Sequence, residues 1–241
     1  MSRIKLLLVT LLLSVFAMST PVQAITLGFD ALQRGEIVDT QFVASHGVTI
    51  SGVNFDGPDA AIIFDTLFQG PTDMDLQGPD WASGNIADVV LGNVLIIPEW
   101  LDDMDRDGFV DDPNDEGARP AGNISFLFDN PITSFGLDLL DVEPPNEMGS
   151  IWFISGDDMV EVTFGELAAA DASIVYGDNS ANRIDPIFAQ DLGLTSFGEV
   201  QIHFGGSMAI DNISYTELPE PGTVFLMGLG LTGLLLQSRR R

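Results

Sequence analysis

Apolar and polar residues alternate along most of this chain in short runs, and the spacing of three or four that marks a helix is scarce. Alternation with period two puts successive side chains on opposite faces of a pleated strand. A run of four to eight such residues, bounded by Gly, Pro, Asn or Asp, therefore reads as a half-buried strand. Strands are expected at 47–53, 61–65, 93–97, 122–128, 132–141, 150–154, 159–164, 199–204 and 209–215. They are rich in β-branched and aromatic residues, as pleated surfaces favour. Asp129-Asn130-Pro131 reads as a tight connection that makes 123–141 a hairpin, and 166–172 reads as one helical turn after Gly165. Many short strands, frequent turns and no internal repeat predict an all-β fold, an antiparallel β-sandwich or jelly roll.

The two ends break this pattern. Arg3 and Lys5 precede an apolar stretch that runs to Met18, and Val22, Gln23 and Ala24 form a small-residue cleavage site. That order predicts a signal peptide at 1–24 and a mature chain beginning at Ile25. At the far end Pro219, Glu220, Pro221 and Gly222 interrupt the chain, an apolar run follows from Val224 to Leu236, and Arg239, Arg240 and Arg241 close it. As a single hydrophobic helix, 223–236 would reach about 21 Å against a hydrocarbon core of about 30 Å, the length of a temporary anchor. The arginines would stay on the cytoplasmic side. This arrangement over 219–241 resembles the PEP-CTERM sorting signal of bacterial exosortase substrates. The resemblance implies cleavage near the Pro-Glu-Pro motif by an exosortase-type membrane protease, transient membrane contact through the C-terminal helix, and a destination at the cell surface or outside the cell. It covers under a tenth of the chain and leaves the task of the body open.

Between these signals, 25–218 reads as one β domain. Its only cations are Arg34, Arg106, Arg119 and Arg183, against all but one of the chain's 36 acidic residues, a formal charge of −31. Nucleic acid is excluded as a partner, because binding it requires clustered Lys or Arg to displace counterions. A hard divalent cation is the natural partner instead, since it would offset the self-repulsion of so acidic a body. The chain has no cysteine, which rules out disulfides, thiol catalysis and thiolate metal sites. Its hydrophobic fraction of 45% supplies a core and excludes a disordered chain.

The densest acidic stretch, 102–116, lies between two expected strands. Asp103, Asp105 and Asp107 with Gly108 occupy positions 1, 3, 5 and 6 of a calcium loop: carboxylates turn inward as the chain curls, and glycine permits the sharp turn. Phe109 would offer its carbonyl. The spacing resembles the EF-hand as far as that point and then departs from it, with Asn114 at position 12 and no flanking amphipathic helices. Asp111 and Asp115 give it a spacing that resembles the thrombospondin type 3 repeat without that family's cysteines. The expected calcium ligands are Asp103, Asp105, Asp107, Phe109, Asp111 and Asp115. Five carboxylates crowded into the ten residues 102–111 repel one another unless a cation joins them. Weaker acidic groups are Asp73 with Asp75, Asp65 with Asp141 and Glu143, and Asp30 with Asp211.

Catalytic signatures are missing from the sequence. His46 and His203 are the only histidines, and no nucleophile elbow, phosphate loop or zinc motif occurs. Trp81 and Trp100 fall in or beside loops and are the candidate glycan contacts, whereas Trp152 sits in an apolar strand and reads as core. The sequence thus predicts an exported, surface-sorted, non-catalytic protein of the bacterial envelope or extracellular matrix. It would be stabilised by calcium and would contact extracellular polysaccharide or another matrix polymer. The alternative is a secreted carbohydrate-active hydrolase working through paired carboxylates.

Overall fold

The computed structural model describes residues 23–218. Most of the expected signal peptide, the C-terminal helix and the sorting residues Pro219, Glu220, Pro221, Gly222, Arg239, Arg240 and Arg241 lie outside the described residues. Ala24–Leu218 make a compact unit with its own core. Among the described residues no helix is long and apolar enough to cross a membrane.

Alternation becomes strand wherever a backbone edge finds a neighbour. In chain order the elements are β1 (Ile25–Leu27), α1 (Val43–His46), β2 (Val48–Asn54), β3 (Ile62–Asp65), β4 (Asn93–Ile96), β5 (Gly122–Leu140), β6 (Ser150–Ser155), β7 (Asp158–Thr163), α2 (Phe164–Ala170), β8 (Ala181–Phe188), β9 (Phe197–Phe204) and β10 (Ala209–Glu217), with 3-10 turns at Met74–Leu76 and Ala189–Leu192. All pairings between these strands are antiparallel. In β2 the alternation is direct: Val48 and Ile50 point inward, while Ser51 and Val53 face solvent. The helix at α2 starts earlier than the expected turn because Thr163 caps it. Thr163 Oγ1 accepts the Glu166 N–H at 3.2 Å, and Glu166 Oε2 accepts the Thr163 N–H at 2.8 Å.

The expected hairpin at 123–141 is corrected by β5, one strand of 19 residues. Its first part pairs with β2 and β9, and its second with β10 and β8. Asp129, Asn130 and Pro131 are exposed and mark a register shift against β9 between Leu127 and Ile132. Pro131 cannot donate to a ladder, so the pairing with β9 is interrupted there. The two parts satisfy their backbones on different strands rather than on each other. The sheet runs β3-β4-β10-β5-β9-β6-β7, with β1 on β10 and both β2 and β8 on β5.

Both parts of β5 contribute to one core. Phe126 and Phe135 lie 5.8 Å apart between ring centroids, and Phe153 meets Phe197 edge-on at 5.0 Å. Fully burying each such ring contributes about 1.5–3 kcal/mol. A second apolar cluster, including Phe64, Leu76, Trp81, Val94 and Val110, backs the acidic segment.

Candidate metal centre

The acidic segment is held to the body at its base and on its flank. Glu99 N–H donates to Asn114 O and Glu116 N–H to Ile97 O, both at 2.9 Å, and Asp111 N–H donates to Asp102 O at 3.0 Å. Val110 is buried, and its N–H reaches Gly35 O at 2.9 Å. Gly35 has φ of 80°, and a Cβ there would stand 2.2 Å from Val110 O, so only glycine permits the approach. Arg34 donates from Nη1 to Asp111 O at 2.7 Å and from Nη2 to Asp112 Oδ1 at 3.2 Å, its guanidinium 4.2 Å above the Phe68 ring. Trp100 Nε1 donates to Asp112 O at 3.2 Å.

Within this frame the carboxylates of Asp103, Asp105 and Asp111 offer oxygens that all lie within 4.8 Å of one another. The curl is fixed by Arg106 and Gly108, with φ of 62° and 94°. Asp103 accepts N–H bonds from Asp107 and Gly108, both at 3.1 Å, and Asp111 Oδ2 accepts the Met104 N–H at 2.7 Å. The bond from Asp107 N–H pulls the Asp105 carboxyl down in pKa, but desolvation and the repulsion of Asp107, Asp111 and Asp103 outweigh it and leave it raised. Three hard oxygen donors on one curl could hold a metal ion.

The remaining expected ligands fall elsewhere. Asp107 turns its Oδ1 to the Phe109 N–H at 2.9 Å and is outside the convergent group. Phe109 is half-buried beside it. Asp115 leaves the loop altogether: it is 5% exposed, accepts the Ser207 hydroxyl, and pairs with Asp73. Its backbone bridge to Pro98 ties it to the body.

A second convergence joins Asp75, Asp141 and Asp178, again with oxygens within 4.8 Å. Asp141 is 1% exposed and accepts the Asn179 N–H at 2.6 Å; burial pushes its carboxyl up to about 7. Sequence reading singled out Asp75 and Asp141 in separate groups and missed Asp178, because the three come from segments far apart in the chain. The Asp30 and Asp211 pair differs in environment. Asp30 is exposed and accepts the Asn93 N–H at 2.9 Å, while burial raises Asp211 to about 7.

The tryptophans also require correction. Trp81 is 6% exposed, packs in the second cluster and donates to Val89 O at 3.0 Å, so it presents no face to a sugar. Trp100 is half-buried with its N–H spent on the loop backbone. Trp152, expected in the core, lies half-buried on the outward side of β6, stacked on His203 with centroids 4.0 Å apart. Apolar neighbours in sequence concealed the alternation that turns it outward.

A β-rich body carrying two acidic clusters that could hold a metal ion is the class these features define. The PEP-CTERM protein-sorting motif matches residues 217–241, so the chain carries that signal. The motif implies export, processing by exosortase, and a surface or extracellular location afterwards. No curated protein matches the chain. Among solved structures it is similar to the K2 cleaved adhesin domain of Lys-gingipain (Kgp), at 13% identity and a TM-score of 0.37, over 81% of this chain and 98% of that one. A likeness that distant carries no argument about fold or task.

Proposed function

We propose that the chain is a non-catalytic component of the bacterial envelope or extracellular matrix whose body, a β-sandwich, is ordered by calcium after export. The observation that carries this reading is the convergence of Asp103, Asp105 and Asp111 in a loop pinned by Arg34, Gly35 and Trp100. Calcium at millimolar levels outside the cell would fill even a weak site and offset part of the −31 charge. The loop would then present an ordered face to a matrix polymer. The rival hydrolase reading needs two reachable carboxyls. Asp73 and Asp115 have the raised pKa values of an acid and base pair, but the burial of Asp115 closes it to a glycosidic bond.

Calorimetric titration of the chain with calcium tests the proposal. The expected Kd is about 10⁻⁴–10⁻³ M, as in extracellular modules. The loop's share of binding should vanish in the Asp103→Asn, Asp111→Asn double variant and survive Asp107→Asn. An unchanged titration in the double variant, or turnover of a polysaccharide abolished by a single carboxylate-to-amide change, would overturn it.

A further inference from the structure

We propose that the outward face of β1, β10, β5 and β8 carries a pocket for a single neutral hexose ring, presented as an end or branch residue of an uncharged glycan. The inference deepens the matrix-contact reading and rests on it for a source of glycan, but it involves none of the calcium-loop residues.

The pocket is a cavity of about 290 Å³ with polar walls from Thr26, Asp138, Arg183, Asp185, Asn212 and Ser214. Two irregularities make it. The ladder of β5 with β8 shifts register between Phe135 and Leu137, and that of β10 with β5 shifts between Asp211 and Ser214. Such bulges bend strands and re-aim side chains. Between them Gly136 stands opposite Ser214. A Cβ at 136 would lie 2.7 Å from Ile184 O and 2.8 Å from Ser214 Oγ, so glycine is what lets β8 and Ser214 close in on β5 beside the pocket.

Its floor is built rather than accidental. Asp138 is 0% exposed; its carboxylate accepts Nε and Nη2 of Arg183, each at 2.8 Å, and Nδ2 of Asn212 at 2.9 Å. The arginine side chain remains 48% exposed, with N–H groups left over from its five. Asn212 Nδ2 also reaches Asp211 Oδ2, so what this residue offers a ligand is its carbonyl oxygen. Thr26 and Ser214 add hydroxyls that donate and accept, and the exposed Asp185 adds an acceptor.

Donors and acceptors interleaved over one ring's width match a polyol, whose hydroxyls each need both. The exposed Pro186 ring supplies an apolar flank for the C–H face of a pyranose, whereas the Ile184 side chain is buried in the core behind the pocket. The size, at the low end of ligand pockets, admits one ring and no polymer strand. Charge narrows the class further. Arg183 is already matched by Asp138, and Asp185 and Asp211 stand nearby, so an acidic sugar is repelled. A bare cation would meet the guanidinium.

The test is saturation-transfer difference NMR on the full chain in a sugar-free detergent. The probes are the methyl glycosides of glucose, galactose and mannose, with glucuronate and glucosamine as comparison arms. At least one neutral glycoside should receive saturation at tens of millimolar or below, and glucuronate should not. Asp185→Asn and Thr26→Val alter exposed side chains outside the Asp138 pair. Each should weaken binding by about tenfold with an unchanged melting midpoint. Absence of transfer to all three neutral glycosides overturns the proposal. So does transfer to glucuronate of equal strength, binding of glucosamine alone, or full binding in both variants. Melting with and without calcium in the same samples separates the two readings: a chain that responds to calcium but binds no hexoside loses the pocket and keeps the calcium loop.

Discussion

The main-chain N–H of Asp115 donates to Oδ2 of Asp73 at 2.8 Å, which sets the buried Asp115 carboxyl beside that of half-buried Asp73. Desolvation, then the charge of Asp73, holds the Asp115 carboxyl well above the ordinary range, and desolvation raises Asp73 to about 6. The pair therefore keeps a proton at a pH where ordinary aspartates have lost theirs. A carboxyl raised in the folded state contributes stability that is complete below its unfolded value near 3.8 and is lost as pH rises through its folded value. With chelator present, stability should fall between about pH 4 and pH 7, and Asp141 and Asp211, both near 7, add to the same slope. Urea unfolding at pH 5 and pH 7.5 checks it. The Asp115→Asn variant should shrink the difference; an unchanged slope would contradict the shared proton.

Gly35 couples the acidic loop to the body through Val110. The Gly35→Ala substitution places a methyl group against a main-chain carbonyl at a positive φ. It should cost about 2 kcal/mol or more and weaken calcium binding, although residue 35 touches no carboxylate of the convergent group. Paired unfolding and calcium titrations of this variant measure both effects. Full calcium affinity at reduced stability would show that the loop does not depend on this anchor.

Trp81 and Trp100 should respond differently to truncation. The Trp81→Ala change opens a cavity in the second apolar cluster and should cost about 3–5 kcal/mol. The Trp100→Ala change removes a half-buried ring and one bond to Asp112 O, so the cost should stay nearer 1–2 kcal/mol. Equal losses by chemical denaturation would contradict the burial assigned to the two rings.

Much of the sheet was legible from alternation alone, because strands such as β2 and β10 have one apolar and one mixed face. β8 escaped notice: Arg183, Asp185 and Pro186 give it the composition of a loop, and they are polar because they line the pocket rather than the core. β1, three residues long, is too short to show a period. The turn residues at 129–131 gave a wrong hairpin: they fall at a register shift within one strand, and only the neighbouring strands decide what each part pairs with. In the acidic loop, local spacing placed Asp103 and Asp105 on one curl with Asp111. The union of Asp115 with Asp73, and of Asp75 with Asp141 and Asp178, depends on tertiary contacts that no local spacing encodes.

Thermal unfolding of Ala24–Leu218, with millimolar calcium and then with chelator, tests the calcium account most directly. Calcium should raise the midpoint by about 3–8 °C, and the Asp103→Asn, Asp111→Asn double variant should lose most of that rise. A midpoint indifferent to calcium, or a rise that persists undiminished in the double variant, would contradict an ion held by Asp103, Asp105 and Asp111.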